Sequence, residues 1–320
     1  MSLDNITVRP IDGLTQQIFE RDFMLPGLPV IITGAISEWK ALSLWTPEYL
    51  REKVGTKRIT LACSKTRSFN YDINGASYDR KEVDFNEAVS LLCGEQPAPI
   101  YFYLMQQSIV KIFPELSNDI SVPALINRDK ISSINLWFSS AGNITPLHWD
   151  LANNFLVQIY GRKRLVLFDP MQTNLLYPHP LESASPHLSY VDLNNPDYEK
   201  FPKLRMARGI TGIIKPGDIV YLPPYWWHHV ISETVGISVN IWWRSLVTQG
   251  FVPCEIRHFP YSRHRLTDYL RQRFDLNGFS NFIDVADYAF NRGFKPAALL
   301  IAEAAFEEHL RALGKKHKIE

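Results

Sequence analysis

Between residues 135 and 243 the chain is cut into short apolar runs by glycine and proline turns, and this pattern constrains the fold more than any other feature. The runs fall at residues 135–138, 155–160, 164–168, 212–214, 219–222, 229–232 and 237–243. Turn residues stand between them: Gly142-Asn143, Gly161-Arg162 and Pro216-Gly217. Many short strands joined by such turns predict a mainly β sandwich or barrel. A parallel α/β sheet would need helices between its strands, and that signal is absent here. Residues 170–208 form a long, proline-rich interruption, expected to be an ordered insertion crossing the barrel mouth.

The flanks read differently. Val30-Ile31-Ile32 has the look of a short buried strand. Thr46-Pro47-Glu48 opens a helix, with threonine as N-cap, proline at the first helical position and an acid in the first turn, and Gly55 closes it. Residues 59–62 and 100–104 read as strands, 83–92 as a helix and 117–128 as loop. An N-terminal α/β portion is therefore expected ahead of the β core. Beyond about Arg244 residues 266–274, 280–292 and 296–313 read as helices. The last carries Leu299, Ala302, Phe306, Leu310 and Leu313 on one stripe. Such a stripe packs on its own domain or, alternatively, forms a homodimer face. The expected organisation is one catalytic domain over 1–250 and a C-terminal helical extension over 251–320.

Composition removes several classes. Of 320 residues, 46% are apolar and 12% aromatic, enough for a packed core and against disorder. A net charge of +1 gives no global attraction to nucleic acid or membrane. No apolar run has the length of a membrane span. Cys63, Cys93 and Cys254 are odd in number and far apart, which argues against a disulfide framework or a cysteine zinc site. The first residues, MSLDNITVRP, contain no signal-peptide hydrophobic region, so a cytoplasmic, reducing location is expected.

The chemistry concentrates in two short stretches. Residues 145–150 read TPLHWD. On an extended strand, His148 and Asp150 would project to one face and Trp149 to the other. An imidazole and a carboxylate on one face are two thirds of a 2-His-1-carboxylate facial triad, a set suited to non-haem iron. Taken alone, a hydrogen-bonded His/Asp pair in a loop is the more ordinary explanation. Residues 216–230 read PGDIVYLPPYWWHHV, and either His228 or His229 could supply the third ligand; periodicity does not choose. His179 and His187 in the insertion, and His258, His264, His309 and His317, read as surface residues. Lys163 shares strand parity with Leu165 and Leu167. It either snorkels to solvent or presents a cation to an anionic cosubstrate inside the barrel. Ser238 and Asn240 give their strand one polar face, which suggests a wet interior.

TPLHWD, NNFLVQIYGRKRLVLFDP, PGDIVYLPPYWWHHV and ISVNIWW, in this order and spacing, resemble the JmjC/cupin-like Fe(II)- and 2-oxoglutarate-dependent hydroxylases. The pattern is nearest to the asparaginyl hydroxylase branch, that of factor inhibiting hypoxia-inducible factor. The resemblance spans roughly residues 30–244. It implies a double-stranded β-helix, the jelly roll of the cupins, with Fe(II) at its open end and 2-oxoglutarate and O2 as cosubstrates. It implies that His148, Asp150 and His228 are the metal ligands and that His229 faces outward. It places Lys163 and Thr145 on the distal carboxylate of 2-oxoglutarate. Tyr103 is assigned there too, although Tyr101 has the same parity. Asn154 and Asn240 match asparagines near the iron-bound end. The run Leu151-Ala152-Asn153 is less polar than in the asparaginyl hydroxylases, and Asn195-Pro196-Asp197-Tyr198 resembles a tRNA wybutosine hydroxylase.

The expected activity is hydroxylation of a C–H bond, with release of succinate and CO2, on an amino-acid side chain of a protein or peptide. A tRNA- or RNA-base hydroxylase is the alternative, with Arg205, Arg208, Arg257, Arg263, Arg265, Arg271 and Arg273 as phosphate contacts. A metal-binding cupin without catalysis is the third reading. A lysine demethylase is a fourth, and nothing in the sequence suggests a histone-tail reader.

Overall fold

In a computed structural model, residues 1–243 are described apart from 70, 73–74, 95–99, 181–182, 184 and 186. The helical extension expected over 251–320, its dimer stripe and the arginines from 257 to 273 lie outside the described residues.

Among the described residues fourteen strands form the two main sheets. They are β1 (Ser2–Asn5), β2 (Val8–Pro10), β3 (Val30–Thr33), β4 (Arg58–Ser64), β5 (Asp79–Asp84), β6 (Tyr101–Ser108), β7 (Ile131–Ser139), β8 (Ile144–His148), β9 (Asn153–Tyr160), β10 (Lys163–Phe168), β11 (Arg208–Ile214), β12 (Asp218–Leu222), β13 (Trp227–Ser232) and β14 (Gly236–Trp243). One sheet runs β1-β11-β10-β13-β8, and a second runs β2-β3-β12-β9-β14-β7-β6-β4-β5. Strands β7 to β14 divide between the sheets, with β8, β10, β11 and β13 in the smaller and β7, β9, β12 and β14 in the larger. That is the eight-stranded jelly roll. Of the remaining strands, β1 adds to the edge of the smaller sheet beside β11, and β2 to β6 extend the larger sheet on both sides.

Strand parity explains where each side chain goes. On β9, Phe155, Val157 and Ile159 join Tyr221, Ile237, Val239, Ile241 and Trp243 in a core on the outer face of the large sheet. Helices α1 (Pro47–Val54) and α2 (Phe85–Leu92) cover this face with Leu50, Val54, Phe85, Ala88, Val89 and Leu92. Leu156, Leu165, Leu167, Val220, Leu222 and Val230 point the other way and fill the space between the sheets. Both faces of β9 are thus buried, which is why its sequence is nearly continuous in apolar residues.

The Thr46 hydroxyl accepts from the Tyr49 amide (3.1 Å), Pro47 occupies the first turn of α1, and Gly55 at φ 68° ends it. Residues 83–92 are not one helix: β5 runs to Asp84, and α2 begins at Phe85. Cys63 and Cys93 form no disulfide among the described residues. Among the described residues no helix is long and apolar enough to cross a membrane.

Candidate metal centre

Three rungs of the smaller sheet build the interior wall. His148 is opposite His228, which is opposite Leu167. Next come Thr145, Val230 and Leu165, and then Ser232 and Lys163. All of these face the space between the sheets. Thr145 and His148 are three residues apart, so simple alternation would put them on opposite faces. A β-bulge between them absorbs the extra residue. Pro146, which cannot donate to a ladder, sits within this irregular step.

The strand ends at His148, so Asp150 is not held by strand alternation as the sequence suggested. It stands in the following loop, fixed by its backbone carbonyl, which accepts from the Tyr225 amide (2.8 Å). The outcome is nonetheless the expected cluster. Ligand atoms of His148, Asp150 and His228 lie within 4.8 Å of one another. The two imidazole centroids are 4.0 Å apart, and His228 Nε2 is 3.7 Å from Asp150 Oδ2.

Both imidazoles are oriented by the backbone. Nδ1 of His148 donates to the Pro146 carbonyl (2.8 Å), and Nδ1 of His228 donates to the Trp226 carbonyl (2.9 Å). A carbonyl oxygen only accepts, so each Nδ1 holds a proton, and in the neutral ring the Nε2 lone pair is the one free for a metal. Burial and the neighbouring His228 pull His148 down to about 4, against the opposing pull of Asp150. Two imidazoles with Nε2 turned toward a carboxylate form a donor set that fits a divalent cation.

Of the pair left open by periodicity, His228 points inward. His229 lies on the other face, opposite Val166, and is buried there rather than solvent-exposed. Burial lowers it to about 4, and neither ring nitrogen has a hydrogen-bond partner among the described residues.

Lys163 is 1% exposed and does not snorkel. Desolvation pulls its ammonium down to about 7; among the described residues no neighbouring charge or hydrogen bond offsets it. It shares the interior face with His228 four residues along the ladder, roughly 13 Å of strand rise. Tyr103 is buried, shares a hydrogen bond with Thr145 and is pushed up to about 12 by desolvation. Tyr101 is instead half-buried and accepts from Arg67 Nε (3.3 Å). Asn240 is buried on the facing wall, where its Oδ1 accepts from Asn135 Nδ2 (3.2 Å). Asn154 has the same inward parity, and its buried Oδ1 has no partner among the described residues. Nε1 of Trp137 and of Trp242, on strands of this wall, is likewise buried without one. Unsatisfied polar atoms facing an interior that also holds an uncompensated cation fit a polar, anionic guest.

Two histidines were misread from sequence. His179 is buried, and His187 is half-buried with its ring 6.5 Å from that of His148. Burial lowers His187 to about 4, with His148 adding to the shift. The insertion pairs with the edge of β8: the Trp149 amide donates to the His187 carbonyl (3.1 Å), and the Ser189 amide to the Leu147 carbonyl (3.0 Å). In an irregular segment there is no period to show which side chains turn inward.

Comparison with known proteins adds independent findings. Residues 15–249 match the family model for a cupin-like domain. The chain is 33% identical over 235 residues to lysine-specific demethylase JMJ30 of Arabidopsis thaliana, covering 72% of this chain and 53% of the relative. It is 31% identical over 231 residues to lysine-specific demethylase 8 of Xenopus tropicalis, covering 70% and 50%. It is also 28% identical over 263 residues to tRNA wybutosine-synthesizing protein 5 of Gallus gallus, covering 77% and 80%. The chain thus spans about half the length of the demethylase relatives.

Proposed function

The chain belongs to the JmjC/cupin-like family, and from that premise we propose that it is an Fe(II)- and 2-oxoglutarate-dependent oxygenase that hydroxylates an amino-acid side chain in a protein. The observation that carries this reading is Lys163, a buried cation with no counter-ion among the described residues, on the same interior wall as the His148–Asp150–His228 cluster. A metal-binding cupin without catalysis has no need of such a lysine.

Nε2 of His148, Nε2 of His228 and an Asp150 oxygen would hold the iron. When bound, iron and 2-oxoglutarate supply dioxygen activation coupled to oxidative decarboxylation, giving succinate, CO2 and a hydroxylated C–H. The chain's own part is binding, orientation and exclusion of water. Lys163 would pair with the far carboxylate of the cosubstrate, a charge-assisted contact that also fixes its direction. The linked hydroxyls of Tyr103 and Thr145 offer hydrogen bonds at that end. Asn154 and Asn240 would serve the end nearer the metal, where the unpaired Oδ1 of Asn154 can accept from a bound group. Aliphatic side chains between the sheets, Leu156, Leu165 and Leu167 among them, keep the cavity dry and strengthen each polar contact. The asparaginyl specificity suggested by sequence is one form of this reading. The lysine-specific demethylases among the relatives favour protein substrates equally well.

A second reading, a tRNA-base hydroxylase, is favoured by the wybutosine-synthesizing relative. Exposed Lys200, Lys203, Arg205 and Arg208 fit it, with the Arg205 guanidinium 4.7 Å from the Tyr198 ring centroid. The test is succinate formation from 2-oxoglutarate by the full chain with Fe(II) and ascorbate in air, beside His148→Ala. Slow turnover that depends on His148 supports the oxygenase. Stimulation by candidate peptides, rather than by tRNA, supports the protein substrate. Absence of both turnover and 2-oxoglutarate binding would leave the metal-binding cupin.

A further inference from the structure

Between β12 and β13 the chain makes a tight turn, Pro223-Pro224-Tyr225-Trp226, whose backbone reaches two of the three candidate ligands. Tyr225 stands at φ 66°, in the left-handed region that an aromatic residue enters only at a cost. Its amide donates to the Asp150 carbonyl (2.8 Å). The next residue, Trp226, offers its carbonyl to Nδ1 of His228 (2.9 Å). The turn is itself tethered, because the Trp226 indole donates to the Gly27 carbonyl (2.7 Å) in the N-terminal portion. The Tyr225 ring also packs against Trp149, the residue between His148 and Asp150, with centroids 5.4 Å apart. Asp150 lies beyond the end of β8 and has no ladder to hold it.

We propose that Tyr225 is a positioning residue whose left-handed backbone sets the separation of Asp150 from His228, and so the metal affinity of the centre. The inference rests on the metal-centre reading above. Strained backbone of this kind persists where surrounding structure over-determines it, and here that structure serves the site. A regular conformation at 225 would swing the amide away from the Asp150 carbonyl and free the loop that carries the carboxylate.

Two variants of the full chain separate backbone from ring. Tyr225→Asn and Tyr225→Val both delete the aromatic contact with Trp149. Asparagine tolerates the left-handed region, whereas β-branched valine resists it. Mn(II) affinity would be measured by calorimetry on each folded protein, with melting curves in parallel. The expected result is Tyr225→Asn within about threefold of wild type and Tyr225→Val weaker by about tenfold or more, the range seen when outer-shell support of a ligand is lost. If Tyr225→Val does not fold, Tyr225→Ala replaces it and the same ranking is expected. Equal affinities for the two variants overturn the inference. If both match wild type, the backbone conformation is irrelevant; if both are equally weak, the ring and not the backbone holds Asp150. A wild-type chain that fails to bind Mn(II) instead removes the metal centre itself.

Discussion

Lys163 is the residue whose surroundings are hardest to explain without a ligand. Its strand parity with Leu165 and Leu167 was legible in the sequence; its desolvation was not, because that depends on what lies across the interior. Burial holds its folded pKa near 7, against about 10.4 in an unfolded chain. Between those values the unfolded chain binds the extra proton, so this residue makes stability rise with pH from about 7 to about 10.4. Below about 7 its full cost is present. Lys163→Met should therefore stabilise the ligand-free protein at pH 7 by something of the order of 2 kcal/mol, with the gain shrinking as pH rises toward 10. Denaturant unfolding at pH 7 and pH 9.5 checks both sign and trend. A destabilised variant at pH 7 would mean that the ammonium already has a partner. His187 marks the opposite limit of legibility. Nothing in its local sequence distinguishes it from a surface histidine, and only the fold of the insertion brings it beside His148.

At the scale of elements, strand alternation led to the right cluster for a partly wrong reason. His148 and Asp150 do converge, but the strand stops between them and a bulge precedes them. Bulges leave little trace in a hydrophobic pattern, since they add one residue without changing composition. Strand β8 lies at the edge of its sheet, where unpaired backbone groups need cover. Two irregular segments provide it. Residues 67–69 bond to Ile144 at one end, and residues 187–189 bond to Leu147 and Trp149 at the other. The Ser189 amide is central to the second contact, and its hydroxyl also donates to the Leu176 carbonyl. Ser189→Pro removes that amide. Hydrogen exchange at the Trp149 amide, which donates to the His187 carbonyl, should then accelerate by about tenfold or more, while α1 and α2 keep wild-type protection. Unchanged exchange at Trp149 would show that the insertion does not depend on this bond.

For the molecule as a whole, seven short apolar runs with glycine and proline turns between them made a β sandwich or barrel legible, and the family resemblance narrowed it to the jelly roll. The two sheets and the two cores follow from parity within those runs. Less legible was the extension of the large sheet by β2 to β6, whose strands are separated by helices and pair across long sequence intervals. The two cores divide the labour. The outer core, centred on Phe155 with Phe19, Tyr221 and Trp243 at ring distances of 5.4, 6.0 and 4.7 Å, supports the sheet whose other face lines the cavity. Phe155→Ala should cost about 3–5 kcal/mol in denaturant unfolding, because packed aromatic neighbours cannot collapse into the void. A cost under about 1 kcal/mol would mean that this core repacks freely. That scaffold holds one wall with a metal-ligand set and, four residues along, an uncompensated cation, and the two together define the proposed oxygenase. The most direct measurement is calorimetric titration of 2-oxoglutarate into the full chain, with and without Mn(II), for wild type and Lys163→Ala. The structure predicts metal-dependent binding by wild type and a loss of roughly ten- to a hundredfold in Lys163→Ala. Binding that ignores both the metal and Lys163, or no binding at all, would contradict it.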